Sequence, residues 1–374
     1  MLKGIYLTLL VGPEVPVPVP SPVMEVLTNV QVTSASGQHS GFQLTFTFSN
    51  RSLLYPLFLL GAVETPKLRV ILVVTVNGMP EVLMDGVIGR SELSPGSEPG
   101  QSTLTVSGED LSALMNLENH DGTQFPGLTP ELRVEEILAD YAYLGLVPEI
   151  IPSPFTDFPN PVEEIPEQQG TDLEYINQLA EDVGHVFFIE PGPIPGLNKA
   201  YWGPDVKTGV PQPALNVGFD AYTNVESLTF NVSTGDRTLP VLFIKLQDSS
   251  EFIQVPVPAI SPINPPLGVI PLPPQRIERL EDTAQLSLTQ AAGRALALAS
   301  RTADAVGGSG TLDVVRYGRL LKARQLVGVR GAGLAFDGLY YVTSVTSTIQ
   351  KGQFKQSFNL TRNAIVPLTP TLPT

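Results

Sequence analysis

The stretch FDGLYYVTSVTSTIQKGQFKQSFNLTR, from Phe336 to Arg362, decides the fold. Read two residues at a time, Leu339, Tyr341, Val345 and Ile349 fall on one face of a first strand, and Phe354, Phe358 and Leu360 on one face of a second. Between them lies Gln350-Lys351-Gly352-Gln353, a polar loop with a glycine. Side chains alternate across a strand, so a period of two bounded by a Gly-containing turn predicts a β-hairpin with one face on a core. A similar arrangement occurs earlier. Asp85-Gly86 opens a run through Val87 and Ile88, Gly96 to Gly100 supply a loop, and Leu104 and Val106 close it before Ser107-Gly108. Asp337-Gly338 begins the late copy in the same way, which predicts a weak internal repeat with one β-domain near each end.

Composition agrees with a β-rich chain. The 374 residues, 42% hydrophobic, are enough for two or three domains with cores of their own. With 36 prolines and 33 glycines, many short strands joined by turns are expected and few helices. There are no cysteines, which excludes disulfides, thiolate metal sites and a Cys nucleophile. The apolar run Ile5 to Val11 is cut by Pro13 with no small-residue cleavage site after it, so it reads as a first strand and not as a signal peptide. No apolar run is long enough to span a bilayer as a helix, and a soluble chain that is not exported is expected. The net charge of -15 argues against nucleic-acid recognition, because phosphate repels an acidic surface. That charge is uneven. Residues 1–275 hold 10 Lys and Arg against 31 Asp and Glu, a balance of -21, and residues 276–374 hold 12 against 6, a balance of +6.

Along the chain, Pro13 to Pro22 is expected to be a stiff, extended polyproline stretch on the surface. Val30, Val32, Phe42, Leu44, Phe46 and Phe48 alternate around Ser36-Gly37, and Leu68 to Val76 runs to Asn77-Gly78. These predict strands, followed by a short helix over Glu109 to Glu118 started by Ser107 and Gly108. Asn119 to Gly122 looks like a calcium loop, but Leu117 and Leu128 would occupy its first and twelfth ligand positions, so it is rejected. Thr129-Pro130 starts a helix striped with Val134, Ile137, Leu138 and Tyr141 and ended by Gly145. After an acidic Pro-rich loop, Thr171 and Glu174 make a capping box for a second helix, with Ile176, Leu179, Ala180 and Val183 inward and Gly184 at its end. His185 to Glu190 and Ala200 to Gly203 read as a small hairpin. Asn224 to Val232 begins a second β-domain, continued by Val241 to Leu246 and Phe252 to Val257. A Pro-rich excursion follows from Pro256 to Pro274. Asp282 then caps a helix of about 283–306, striped with Leu288, Ala292, Ala295 and Ala299, ended by Gly307-Gly308 and covering one side of the second barrel.

The search for chemistry yields little. His39, His120 and His185 lie neither at ligand spacing nor in a nucleophile context, and read as structural. Counting alone leaves a glycosidase pair open, since acids distant in sequence meet in space, but nothing marks one out. Glu163, Glu164 and Glu167 read as a solvated acidic face. Gly328 to Gly333 lacks the Lys-Ser/Thr of a phosphate loop.

The residues assembled so far resemble a known family, the tail hub proteins of contractile phages and contractile injection machines (late control gene D). The resemblance rests on a β-domain ending near Ser107-Gly108-Glu109-Asp110 and on the insert segment from Gln169 to Gly184. Tyr201-Trp202-Gly203-Pro204 and the closing hairpin complete it. The Thr171-Asp172-Leu173 start and the Leu179-Ala180-Glu181 run before Gly184 are its most specific part. It implies a mainly β fold with an α+β insert: tube-like barrels at 1–118 and 205–374 and a helix-containing insert at 119–204. It further implies a homotrimeric ring, without enzymatic activity or cofactor, that adapts a threefold spike to a sixfold inner tube. Such a ring would be assembled in the cytoplasm into a baseplate with other baseplate components. The chain stops soon after the second barrel, as in a hub without a fused spike. Two rival readings remain at this point, a baseplate-associated cell-wall hydrolase and a carbohydrate-binding tail protein; the single Trp202 offers little sugar-stacking surface. Arg316, Arg319, Lys322, Arg324 and Arg330 form the candidate interface, with Glu131, Glu135, Glu136, Glu163 and Glu164 as acidic partners within the chain.

Overall fold

The computed structural model describes residues 4–368 except 14, 50–52, 61–67, 98–100, 155–164, 234–237, 246–251, 258–263, 272, 275, 280–287 and 305. Strands dominate. First come β1 (Ile5–Gly12), β2 (Val17–Pro18), α1 (Ser21–Glu25), β3 (Leu27–Ala35), β4 (Gly41–Thr47), β5 (Arg69–Val76), β6 (Met79–Ser94) and β7 (Thr103–Asp110). The insert holds α2 (Pro130–Asp140), β8 (Leu146–Ile150), α3 (Asp172–Asp182), β9 (His185–Pro191) and β10 (Asn198–Pro204). Then follow β11 (Gln212–Asn216), β12 (Val225–Val232), β13 (Thr238–Lys245), β14 (Phe252–Pro256), β15 (Gly268–Pro271), β16 (Arg276–Arg279) and α4 (Leu288–Arg301). The chain closes with β17 (Val306–Asp313), α5 (Val314–Tyr317), β18 (Leu326–Arg330), β19 (Gly338–Gln350), β20 (Gln353–Arg362) and β21 (Ala364–Pro367).

The stretch quoted at the outset is the β19–β20 hairpin, with Gln350 opposite Gln353 across Lys351-Gly352. Its first strand does not keep one face. A β-bulge between Val342 and Ser344 adds a residue and inverts the alternation. Tyr340, Val342 and Val345 therefore share one core with Phe354, Phe358 and Leu360, while Leu339 and Tyr341 face the other way, onto Leu267 and Leu326. The earlier hairpin is β6–β7, but Asp85 and Gly86 lie inside β6 instead of opening it. β6 starts at the Asn77-Gly78 turn, whose φ values of 52° and 84° are the positive pair that a two-residue hairpin requires.

The two ends of the chain repeat one topology. β3–β4–β7–β6–β5 and β12–β17–β20–β19–β18 are each antiparallel and paired in the same order. Their irregularities repeat as well. A bulge lies between Leu27 and Asn29 in β3 and between Val225 and Ser227 in β12. A second lies between Ile88 and Arg90 in β6 and between Val342 and Ser344 in β19. The β3–β19 ladder, from Ala35 opposite Ser344 to Asn29 opposite Gln350, joins the two sets into one 13-stranded sheet. One core lies under each set, built on Leu44, Phe46, Val70 and Leu104 in the first and on Tyr340, Phe354 and Phe358 in the second.

Several local expectations need correction. Pro13 to Pro22 is not a free excursion: Pro18 pairs with Leu10 as an edge strand, and Pro22 lies in the first turn of α1, where its missing N–H costs nothing. The helix expected from Glu109 is a 3-10 turn at Leu111–Asn116, capped by Asp110, whose carboxylate accepts from the Ser112 amide. β13, β14 and β16 form a sheet of their own and do not continue the large one. α4 packs on β13 and buries Ala291, Ala295 and Ala299 against Val257, so it covers this small sheet. It ends at Arg301, and Gly307-Gly308 belong to β17. Its expected cap, Asp282, lies outside the described residues, as do Glu163 and Glu164. Part of the second Pro-rich stretch is β15, paired with β21. Pro148 to Ile150 belong to β8, which lies parallel to β10.

The insert packs around Trp202, Ile176, Leu138 and Val134 in a core that Val87 of β6 and Leu111, Leu114 and Met115 also enter. It is pinned to the first sheet by a buried ion pair. Arg69 of β5 meets Asp85 of β6 through two bonds of 2.7 Å, Arg69 also donates to the Leu144 carbonyl at 2.9 Å, and the Asn198 amide donates to Asp85 at 2.9 Å. Gly145 makes this approach feasible: at φ 75°, a β-carbon there would lie 2.0 Å from the Gly196 carbonyl. The Arg69 and Asp85 side chains are 4% and 0% exposed. Replacing Arg69 by Met strands a buried carboxylate, and the expected cost is about 3–5 kcal/mol in urea unfolding. The double variant Arg69→Met with Asp85→Leu should recover most of that loss.

Candidate assembly surface

The basic residues of the last quarter do not form one open patch. Arg324, at φ 61°, turns inward. Its guanidinium donates to the Ala35 carbonyl at 2.7 Å, pairs with Glu190 at 3.2 Å and lies 4.2 Å from the centre of the Phe188 ring. It thus links the second sheet to the end of β3 and to β9 of the insert. Lys322 pairs with Glu81 of β6 at 2.8 Å. Arg330 is half-buried, and its carbonyl accepts from the Val217 amide. Of the five candidate interface residues, Arg316 and Arg319 alone are exposed with no salt bridge among the described residues. They flank Gly318, whose carbonyl accepts from Asn77 at the β5–β6 turn at 2.9 Å. Of the acidic partners, Glu131 accepts from the Ser153 amide, and Glu135 and Glu136 are exposed on α2 with no ion pair to the basic residues among the described residues. The fold therefore leaves Arg316 and Arg319 as the outward cations of this segment.

The histidines have different surroundings. His39 shares a 3.0 Å hydrogen bond with the Ser112 hydroxyl. His120 Nδ1 donates to Asp172 at 2.8 Å, and Asp172 also accepts from Tyr141 at 2.7 Å and Gln168 at 2.7 Å. This cluster fastens the Asn119–Gly122 turn to the start of α3. The hydrogen bond to Asp172 raises the His120 pKa above its usual value. His185 is buried edge-on against Trp202, and burial lowers its pKa to about 4 despite the opposing charge of Glu131. Elsewhere Lys207 pairs with Asp304 at 2.6 Å and lies under Tyr341, and burial raises the Asp304 pKa against the pull of Lys207. No group of three or more His, Asp or Glu suited to a metal occurs among the described residues. No helix among them is long and apolar enough to cross a membrane.

No protein-family model matches the sequence, and a search of curated proteins finds no matching relative. Solved structures do match. A tail protein from Neisseria meningitidis MC58 is 12% identical at TM-score 0.64, covering 96% of this chain and 97% of that one. The 43 kDa tail protein of prophage MuSo2 from Shewanella oneidensis is 15% identical at TM-score 0.64, covering 96% and 99%. The E. coli c3393 protein is a component of the type VI secretion system with structural similarity to T4 tail proteins gp27 and gp5. It is 12% identical at TM-score 0.53, covering 93% of this chain and 76% of that one. The chain has the mainly β fold of these phage tail and secretion proteins, over nearly its whole length.

The two imidazoles give opposite pH signatures. His185 has a folded pKa below its unfolded value, so the stability it contributes is complete above pH 6.5 and falls as pH drops toward about 4. The slope approaches about 1.4 kcal/mol per pH unit. His120, raised, acts in the other direction: its contribution is present below pH 6.5 and is lost as pH rises through its folded pKa. In urea unfolding between pH 4.5 and 7.5, His185→Gln should show a flatter acid limb than the parent.

Proposed function

We propose that the chain is the structural hub of a baseplate, in a phage tail or a contractile injection machine. Three copies close a ring that presents six tube-like barrels, from 1–118 and 205–374 of each copy, to a sixfold inner tube. The other face meets a threefold spike. The insert at 119–204 faces the remaining baseplate components. One observation carries this reading: a tail-protein fold whose two halves repeat both strand order and bulge positions. Two equivalent units per chain are what a threefold ring needs to meet a sixfold partner. The mechanism is binding, and no enzymatic step is assigned. A hydrolase would need a lytic domain with a substrate cleft, whereas the insert's core is filled by apolar side chains around Trp202.

The test is the mass of the purified full chain in native mass spectrometry. A trimer is expected at micromolar concentration, and a stable monomer overturns the ring. Arg316 and Arg319 are the residues of the basic segment proposed to dock on an acidic surface of a neighbour, tube or spike. Reversing both to Glu should weaken that assembly, and more strongly at 20 mM than at 500 mM salt, because screening shortens the reach of exposed charges to about 3 Å near 1 M. Equal assembly of parent and variant at both salts makes the pair an ordinary solvated face.

A further inference from the structure

β19 holds two neighbours along one edge, β18 opposite residues 338–341 and β3 opposite residues 344–350. Its counterpart in the first half, β6, holds one. β5 lies opposite residues 79–87, and from Arg90 to Ser94 β6 is paired with β7 alone among the described residues. The counterpart of β3 is β12, which among the described residues pairs only with β17. Each chain thus completes this junction once internally and carries the two halves of a second one, on different parts of its surface.

Burial marks the difference. Counted from the shared bulge, Val30 and Val32 of β3 correspond to Leu228 and Phe230 of β12. The first two are 1% and 2% exposed; the second two are only half-buried, and Val232 beside them is 45% exposed. Counted from the other bulge, Leu93 of β6 corresponds to Ser347 of β19. Ser347 is 2% exposed and Leu93 is 41% exposed. Apolar side chains are left open at the positions that the internal junction closes. Among the described residues neither edge carries a further strand, the Ser91 hydroxyl alone reaching across to the Phe58 carbonyl at 3.2 Å, and an open edge of this kind templates one.

We propose that β12 of one copy pairs antiparallel with the Arg90–Ser94 segment of β6 in the next copy, repeating between chains the β3–β19 ladder found within one. The inference rests on the ring-forming reading above and specifies the surface on which it closes. Transferring the internal register sets Val232 opposite Ser91, Asn231 opposite Glu92 and Phe230 opposite Leu93. The contact is head-to-tail, so every copy offers one half to each neighbour, and it closes into a ring when the rotation allows.

The chain has no cysteines, so introduced thiols are the only ones present. Two double variants test the register: Ser91→Cys with Val232→Cys, and Glu92→Cys with Asn231→Cys. Successive positions of an antiparallel ladder alternate between close and wide pairs, so one of these two falls at a spacing that a disulfide spans. After mild oxidation, one double variant should run as a covalent trimer on a denaturing, non-reducing gel, and neither of its single-cysteine parents should. Hydrogen exchange on the unmodified chain provides the second readout: amides in 90–94 and 226–232 should slow on assembly. A trimer by native mass that neither cross-links nor protects these amides overturns the strand pairing and leaves the ring standing. A monomer overturns both.

Discussion

A single extra residue in β19 lets the two halves of the molecule share one sheet. Before the bulge at Val342 and Ser344, one edge of the strand holds β18; after it, the same edge holds β3. Because the bulge also inverts the alternation, Tyr340 and Val342 enter the same core as Val345 although their spacing is odd. An uninterrupted strand would turn either Tyr340 or Val345 away from this core. The core under the second sheet, the ladder to the first and the equivalence of the halves all depend on this irregularity. That the matching irregularity occurs in β6 marks it as part of the fold's plan.

Onto this frame the insert is held by charges that the cores enclose. Arg69 and Asp85 neutralise each other inside the first sheet and direct their remaining hydrogen bonds to Leu144 and Asn198, which meet where β8 and β10 begin. Arg324 does the same from the second sheet, reaching Ala35 and Glu190. A buried ion pair adds little net stability over an apolar pair of the same shape, because desolvation offsets the attraction. What it adds is direction: each Arg has several fixed donors, and satisfying them sets where the insert sits relative to both sheets.

The hairpins were legible because their signals are local. Asn77-Gly78 and Lys351-Gly352 are turn chemistry, and the capping box of Thr171 and Glu174 forms as its spacing requires. What did not read through was set by tertiary contact. A bulge has no composition of its own, so strict alternation assigns Leu339 and Tyr341 to the wrong face. Gly307-Gly308 looks like a helix stop, yet β17 needs small residues there, where Phe230 and Leu360 crowd Gly308. The basic run was visible as a charge imbalance, but its division into inward Arg324, paired Lys322 and outward Arg316 and Arg319 follows from partners remote in sequence. Arg69 and Asp85 did leave a trace: each is a lone charge beside or within an apolar strand, RVILVVTV and VLMDGVI, where an unpaired ion would be prohibitive.

Two outer edges of the large sheet, the ends of its main path, are treated differently, and the Pro-rich stretch explains how. At one end lies β2, where Pro16, Pro18 and Pro20 stand in and around a two-residue strand. Proline has no N–H to offer, so this edge cannot template a further strand. At the other end lies β12, eight residues long, free of proline, with Leu228, Phe230 and Val232 incompletely covered. With β2 blocked and β12 left extended, further strand pairing at these two ends is confined to β12. The prolines that the sequence offers as a stiff surface stretch therefore have a structural use, closing off an edge that an ordinary strand would leave open to pairing.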